Sequence, residues 1–211
     1  CFNNGTEPQR HRLSLFQATC LNNLISRCME RNMFPYLKLT ATLMKARFRS
    51  KLNVDDPSIL HFRAGFTDID MFMEINHARY FNYMELGRWD YSYRVGFLSL
   101  MKKQKWGIAV GGVSVRYRRR IPLFSKFSLS TRLICHDGRW LYFLHETHRN
   151  SRICSSALIK VGITSRDGLV PALRVAEYMG MENWRPDVPG WVTAWIEAES
   201  QRPWSSDNST E

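Results

Sequence analysis

The stretch Thr67-Asp-Ile-Asp-Met-Phe-Met-Glu-Ile-Asn-His-Ala-Arg-Tyr-Phe81 decides the fold. It places two carboxylates, Asp68 and Asp70, in a loop that runs directly into a long helical pattern. Asn76 is a favoured N-cap residue, and the start of a helix offers unpaired N–H groups and a partial positive charge. A carbonyl group bound there would be polarised while a nearby carboxylate attacks it or activates water. Acyl transfer needs this pairing, although an Asp in a loop also commonly caps a turn.

The segments on both sides of this loop predict an α+β fold. A strand pattern begins at Ser58, before the loop, and the helical pattern runs from Asn76 to about Leu98, with Gly87 allowing another backbone to come close. After Gly107 the apolar period changes to about two, which indicates strands. The predicted strands, joined as an antiparallel meander, are Ile108–Arg119, Phe127–Cys135, Trp140–His148 and Ser151–Ile163. One long helix would then pack against a sheet of about five strands.

The two ends of the chain differ in character from this central domain, which is expected over residues 58–180. Residues 33–52 form a basic amphipathic helical pattern, which fits either a helix on an anionic membrane or a helix docked on the domain. Its apolar stripe consists of Leu37, Ala41, Met44 and Phe48. Residues 1–32 are interpreted as a flexible extension or an upstream mis-start, and residues 181–211 as a C-terminal helix and polar tail.

Composition narrows the possible classes of protein. The chain has 211 residues, of which 44% are hydrophobic, so a packed core is expected. No run of about 18 uncharged apolar residues suggests a membrane span. The net charge is +11, and residues 1–52 hold nine Lys and Arg against two acidic residues. Nucleic-acid binding would rest on this charge alone, without a recognisable motif, so no nucleic-acid partner is expected.

Cysteine and histidine positions argue against disulfides and metal. The five cysteines are odd in number and fit no disulfide framework, so we expect a reducing, cytoplasmic location, with membrane association through residues 33–52 left open. His145 and His148 would face opposite sides of one strand and could not chelate one ion together. Zinc is therefore rejected. Serine hydrolase chemistry lacks an anchor, because the sequence contains no GxSxG motif.

The chain resembles the hotdog-fold acyl-CoA thioesterases of the 4-hydroxybenzoyl-CoA thioesterase family, and most closely their thioesterase-like branch. The residues that carry this resemblance are Asp68-Ile-Asp70 and Asn76-His-Ala-Arg-Tyr-Phe81. Members of that branch have Asp-Leu-Asp, then His-Met-Asn-Asn-Ala-Arg-Tyr, within the same order of strand, loop, long helix and four strands. The likeness extends from about Met33 to Pro203. It implies a hotdog fold, in which an antiparallel sheet of about five strands wraps around one long helix, with extra terminal helices.

The resemblance implies catalytic roles for three residues. Asp70 matches the family's catalytic carboxylate, acting as nucleophile or general base. The backbone N–H of His77 matches the donor that polarises the thioester carbonyl. Asn76 and His77 match a residue pair that orients water or shapes the start of the helix. This chain departs from the family at Met73-Glu74, where members often have Gly-His or a similar pair.

The resemblance also implies an acyl-CoA substrate. On the long helix, Tyr80, Tyr83 and Met84 would set the length of the acyl pocket. Among the arginines at the end of the strand that follows, Arg118 and Arg120 are candidates for binding the CoA phosphates. The alternative is that these arginines form a solvated strand end.

The predicted function is hydrolysis of an acyl-CoA or acyl carrier thioester, with no cofactor apart from the CoA of the substrate. Hotdog domains usually place their sites between subunits, so a homodimer or a dimer of dimers is expected, which would also cover open strand edges. The alternative function is a non-catalytic acyl-binding or membrane-peripheral hotdog scaffold. The basic segment 33–52 and the unusual Met73-Glu74 pair motivate that alternative.

Overall fold

Helices and strands occupy most of residues 37–203, the part of the chain that the computed structural model describes. In this part helix α1 covers residues 37–47. The other helices are α2 His77–Arg94, α3 Phe97–Gln104, α4 Ala172–Tyr178 and α5 Gly190–Gln201. The strands are β1 Ser58–Arg63, β2 Gly107–Tyr117, β3 Lys126–His136, β4 Leu141–Arg149, β5 Arg152–Ser165 and β6 Gly168–Val170. The interpretation of residues 1–32 lies outside the described residues, as does that of the end of the tail.

The strands form one antiparallel sheet in the order β1-β3-β4-β5-β2, with β6 paired to β5. Strands β3, β4 and β5 form the predicted meander. Asn150 and Ser151 join β4 to β5 with φ angles of 50° and 59°, as a tight hairpin requires. The expectation that β2 would also join this meander was wrong, because β2 lies on the far side of β5. Its connection to β3 instead runs along the loop before α2, where Leu123 N–H donates to Met73 O (2.9 Å).

Helix α2 and helix α5 cover opposite faces of the sheet. Alternate residues of β5 show the two faces: Ile159 and Val161 belong to the core beneath α2, whereas Leu158 packs with Val192 of α5. Helix α2 packs tightly on β3 at Gly87, where an added Cβ would overlap the Thr131 side chain. The predicted close approach is therefore confirmed, and so is the predicted α+β architecture.

The long helix is shorter than its apolar pattern predicts. Helix α2 ends at Arg94, and α3 begins at Phe97 after Gly96, whose φ of 88° lies in the left-handed region. Glycine adopts this conformation without the steric cost that a Cβ imposes. The apolar period continues through Leu98, so the sequence pattern gave no sign of this break.

A buried ion network joins α1 to α2. Asp90 is fully buried and accepts hydrogen bonds from Ser58 Oγ (2.6 Å) and Arg94 Nη1 (3.4 Å). Arg49, just after α1, donates through Nη1 to both Asp90 carboxylate oxygens (3.1 and 3.0 Å) and through Nη2 to Ile59 O (2.8 Å). Helix α1 is therefore docked on the domain by polar contacts near its C-terminal end.

Candidate active site

The two loop aspartates have different structural roles. Asp68 is buried; its Oδ2 accepts a hydrogen bond from Gly65 N–H (2.9 Å), and its Oδ1 lies 3.4 Å from Lys38 Nζ. Its backbone oxygen accepts a hydrogen bond from Asn76 N–H (2.9 Å). Asp70 is half-buried and sits closer to the loop tip. Asp68 therefore holds the loop together, while Asp70 remains accessible for chemistry.

The loop around Asp70 is closed by backbone pairing. A bridge between Ile69 and Ile75 joins its two ends, and Asp70 N–H donates to Glu74 O (2.9 Å). Asp70 Oδ1 accepts a hydrogen bond from Phe72 N–H (2.8 Å). Within residues 37–203 its Oδ2 accepts no hydrogen bond, so one carboxylate oxygen is left to act on a substrate or water.

Met73 adopts a left-handed backbone conformation, with a φ of 59°. This conformation favours glycine because a side chain crowds the backbone there. A small residue, which the resemblance implies at this position, would adopt this backbone conformation at a lower steric cost than Met73 does. The Met73 side chain is 53% exposed.

Helix α2 begins as the sequence predicts, with Asn76 as its N-cap. Asn76 Oδ1 accepts a hydrogen bond from Ala78 N–H (2.9 Å), and its backbone oxygen accepts one from Arg79 N–H (2.8 Å). His77 is the first helical residue, and its side chain is exposed. Its N–H has no acceptor in the described part of the chain, as is usual for donors of a first helical turn. The Asn76 side chain thus serves the helix, and His77 offers a backbone donor.

Tyr117, at the end of β2, packs on the start of this helix. Its hydroxyl donates to His77 O (3.2 Å), and its ring stacks edge-on against Tyr80, with 5.1 Å between ring centroids. Burial raises the pKa of Tyr80, with smaller contributions from Cys154 and Tyr117. Sequence analysis missed Tyr117 because its role depends on the end of β2 meeting α2, which no sequence spacing indicated.

The predicted arginines lie at different distances from the loop that carries Asp70. Arg120 Nε lies 3.3 Å from Glu74 Oε2, an ion pair without hydrogen-bond geometry, so Arg120 sits beside the loop. Arg118 is exposed, and its backbone N–H donates to Cys154 O (2.7 Å). Arg119 is anchored by its side chain to Ile153 O (2.9 Å). The structure therefore brings one of the two predicted arginines to the loop.

The predicted pocket residues of α2 are core residues. Tyr80, Tyr83 and Met84 are all buried, and Met84 is fully so. The Tyr83 hydroxyl is buried with no hydrogen-bond partner in residues 37–203, and burial together with the neighbouring Asp68 carboxylate raises the Tyr83 pKa. Lys38 Nζ lies 5.2 Å from the Tyr83 ring centroid. Contact of these three residues with an acyl group stays a prediction.

A second polar cluster, which sequence analysis missed, lies under the middle of α2. His145 is fully buried, with Nδ1 3.0 Å from Thr131 Oγ1 and Nε2 3.4 Å from Arg88 Nη1. Because Arg88 can only donate, Nε2 accepts and the ring proton sits on Nδ1. Burial, and then the positive charge of Arg88, hold the pKa of His145 well below its ordinary value of 6.5.

An apolar cavity of about 40 Å³ lies farther along α2, between the helix, the sheet and α4. Arg88 and Tyr91 line it from the helix, and Phe143 lines it from the sheet. Burial lowers the Arg88 pKa to about 10. A cavity of this volume has room for a very small group. Gly87 packs directly on β3 between this cavity and the loop of Asp70.

No metal-binding cluster of three or more His, Cys, Asp or Glu residues occurs within residues 37–203. Cys135 and Cys154 are buried and free, and the other three cysteines lie outside the described residues. His145, one of the histidines considered for zinc, is satisfied by Thr131 and Arg88.

Comparison with known proteins places the chain in a family. A family model described as the thioesterase-like superfamily matches residues 64–196, which include the loop, α2 and every strand of the sheet except β1. The chain belongs to the thioesterase-like superfamily. Its relatives include Protein THEM6 of Drosophila melanogaster, 26% identical over 167 residues that cover 77% of this chain and 84% of the relative.

Solved structures confirm the predicted hotdog fold. A DHNA-CoA thioesterase from Staphylococcus aureus matches with a TM-score of 0.51 and 19% identity, covering 68% of this chain and 91% of that one. A hypothetical protein of Staphylococcus aureus, solved in complex with CoA, matches with a TM-score of 0.52 and 9% identity, covering 66% of this chain and 92% of that one. At these identities the likeness shows the shared fold.

Proposed function

We propose that this chain hydrolyses an acyl-CoA or acyl carrier thioester, with Asp70 as the reacting carboxylate. The observation that carries the proposal is the closed loop before α2. The Ile69–Ile75 bridge folds Asp70 back toward the start of the helix, where the His77 N–H has no acceptor in the described residues. A carboxylate and an unpaired backbone donor at the start of one helix can act together on a thioester, the donor by polarising the carbonyl and the carboxylate by attacking it or activating water.

In the proposed reaction the substrate carbonyl oxygen accepts a hydrogen bond from His77 N–H at the positive end of α2. Asp70 then follows one of two routes. As a general base it takes a proton from water, and the resulting hydroxide attacks the acyl carbon. As a nucleophile it forms an acyl-enzyme anhydride, which water hydrolyses afterwards. In both routes the carbon–sulfur bond breaks, and the thiolate takes up a proton to leave as a free thiol.

The proposed substrate carries CoA or a related phosphopantetheine group. Fold neighbours named as a CoA thioesterase and as a CoA complex support this choice. Arg120 lies beside the loop and is the stronger phosphate-binding candidate, with Arg118 two residues away. The acyl group would extend along the helix toward Tyr80, Tyr83 and Met84.

We further propose that the chain acts as a homodimer that pairs the edges of two sheets. Strand β2 is an edge strand in residues 37–203, and its Val110 and Val113 are 52% and 38% exposed. Pairing would satisfy its open backbone groups and cover these apolar side chains. Light scattering should give the mass of a dimer, whereas a monomer at micromolar concentration would contradict the pairing.

The catalytic proposal is tested by thiol release across a panel of acyl-CoA substrates. Asp70→Asn should lower kcat by at least about 100-fold, because the amide can neither take a proton nor attack. Asp167→Asn, in an exposed turn before β6, is the matched control and should keep full activity. Full activity of Asp70→Asn would refute the assignment. Acyl-CoA binding by the wild type without any thiol release would favour the non-catalytic scaffold.

A further inference from the structure

Helix α1 presents an apolar surface to solvent. Its predicted stripe faces outward: Leu37 and Met44 of the helix, and Phe48 directly after it, are exposed by 63%, 61% and 83%. Ala41, on the same stripe, is exposed as well. Within residues 37–203 no helix is long and apolar enough to cross a membrane. An exposed apolar surface of this kind marks a candidate interaction site.

The orientation of α1 is fixed by its other face. Thr42 and Ala46 are buried against the domain, and Arg49 is held by the Asp90 carboxylate and by Ile59 O. Rolling the stripe inward would break this network and leave the buried carboxylate without one of its cations. The domain thus anchors the polar and small side of the helix, which keeps its apolar side outside.

Basic side chains border the stripe on both sides. At about 100° per residue, Lys45 and Arg47 project to opposite sides of the line through Leu37 and Phe48. Both are exposed, and residues 31–54 contain no Asp or Glu. An apolar strip with basic borders and no acidic residue is the pattern of a helix that lies in the surface of an anionic bilayer. Long basic side chains reach the phosphates while the apolar side chains enter the acyl layer.

We propose that the outward face of α1 docks this domain on an anionic bilayer surface. Self-association through this face fits less well, because two copies would bring their basic borders together with no acidic residue in either helix. The helix also leads to the candidate active site. Lys38 Nζ lies 3.4 Å from Asp68 Oδ1, at the end of a short turn whose Phe66 is 70% exposed. Docking through α1 would therefore hold the catalytic loop near the bilayer.

The test is flotation of the full chain with two kinds of vesicle, phosphatidylcholine alone and phosphatidylcholine mixed with phosphatidylserine. The wild type should bind the mixed vesicles, and less well at high salt. Met44→Gln combined with Phe48→Gln should weaken this binding by about tenfold or more, since both side chains leave the acyl layer. Lys45→Glu combined with Arg47→Glu should abolish the preference for vesicles that contain phosphatidylserine. Each substitution should weaken binding to those vesicles by about fivefold or more.

Matched controls carry the same changes elsewhere. Leu173→Gln with Trp191→Gln removes exposed apolar side chains, and Lys102→Glu with Lys103→Glu reverses exposed charges on α3. Both controls should bind as the wild type does. Each α1 variant should keep its melting temperature and its hydrolysis of soluble acyl-CoA, so failure of the docking proposal is distinct from failure of the catalytic one.

Two outcomes would overturn the docking proposal. If both α1 double variants bound the vesicles as strongly as the wild type does, the lipid affinity would belong to another segment, such as the basic N-terminal residues. A fall in particle mass when Met44 and Phe48 are replaced, in the absence of lipid, would assign the face to a second copy of the chain.

Discussion

The two ends of helix α2 use the same residue type in opposite ways. Asp90, near the C-terminal end, is fully buried and accepts hydrogen bonds from Ser58, Arg49 and Arg94. Asp70, before the N-terminal end, is half-buried and has one donor to its carboxylate, the N–H of Phe72. A buried carboxylate must have its charge and its lone pairs satisfied, so Asp90 can serve structure alone. Asp70 keeps an accessible oxygen and can serve chemistry.

The backbone around Asp90 is regular, whereas the backbone around Asp70 contains unfavourable conformations. The Asp90 region is regular helix, whereas the loop of Asp70 includes Met73 in a left-handed conformation. Phe124, on the segment that pairs with this loop, is left-handed too, with a φ of 60°. Unfavourable conformations in large residues persist where the surrounding contacts hold them, and they concentrate at functional sites. The contrast supports the proposal that α2 is stabilised at its C-terminal end and begins, at its N-terminal end, beside the reacting carboxylate.

The largest effect expected from this comparison is on stability at the Asp90 end. Asp90→Ala would leave Arg49 and Arg94 close together without their shared carboxylate, and should lower the free energy of unfolding by about 3–5 kcal/mol. Asp70→Ala, as the matched control, should change it by about 1 kcal/mol or less, because that carboxylate is partly solvated. Urea unfolding measures both. Similar losses for the two variants would contradict the division between the two ends.

A smaller effect should appear as a pH dependence at His145. Its pKa in the folded state is held below the ordinary 6.5 by burial and by Arg88. The unfolded chain therefore binds the proton more readily, so the stability from the neutral ring is complete above about pH 6.5 and falls as the pH decreases below it. The expected slope is about 1.4 kcal/mol per pH unit.

The measurement compares unfolding free energies of the wild type and His145→Gln at several pH values between neutral and mildly acidic. The other five histidines contribute equally to both chains, so the difference between the curves isolates His145. We expect the advantage of the wild type over the variant to shrink as the pH falls. A difference that stays constant over this range would mean that His145 is protonated as easily in the folded chain as in the unfolded one.

Much of the fold could be predicted because its signals are local. Alternation of period two located β2 to β5, and Asn76 marked the start of α2 through a cap that needs only its own neighbours. The position of β2 in the sheet could not be predicted, since an edge strand can extend either side of a meander with the same pattern. The orientation of α1 was also inaccessible, because it depends on an ion pair between Arg49 and Asp90, which are 41 residues apart.

The candidate site was predicted in part for the same reason. Asp70 and His77 share a short loop, so their order along the chain indicated their proximity. Arg120 meets Glu74, and Tyr117 meets His77, only because the connection after β2 runs along that loop. His145 became recognisable as a satisfied core residue once its strand faced Arg88 of α2. Long-range pairing of this kind leaves no pattern in a single sequence.

The smallest expected effect concerns the backbone of the Asp70 loop. A left-handed conformation costs a side-chain-bearing residue about 1–2 kcal/mol, and Met73→Gly removes this cost. Glycine also makes the unfolded chain more flexible, which offsets about 0.4–1 kcal/mol of that gain. Met73→Gly should therefore raise the free energy of unfolding by about 0.5–1 kcal/mol.

Met71→Gly is the control that separates these two contributions. Met71 lies in the same loop and is 85% exposed, but it is not among the residues with positive φ. Glycine there brings only the added flexibility of the unfolded chain, so this variant should lose about 0.4–1 kcal/mol. Both substitutions remove a methionine side chain, at positions two residues apart. Opposite changes in the free energy of unfolding would therefore arise from the different backbone conformations at the two positions. Equal losses in urea unfolding would mean that the loop stores no strain at Met73, and the contrast between the two ends of α2 would then rest on the aspartates alone.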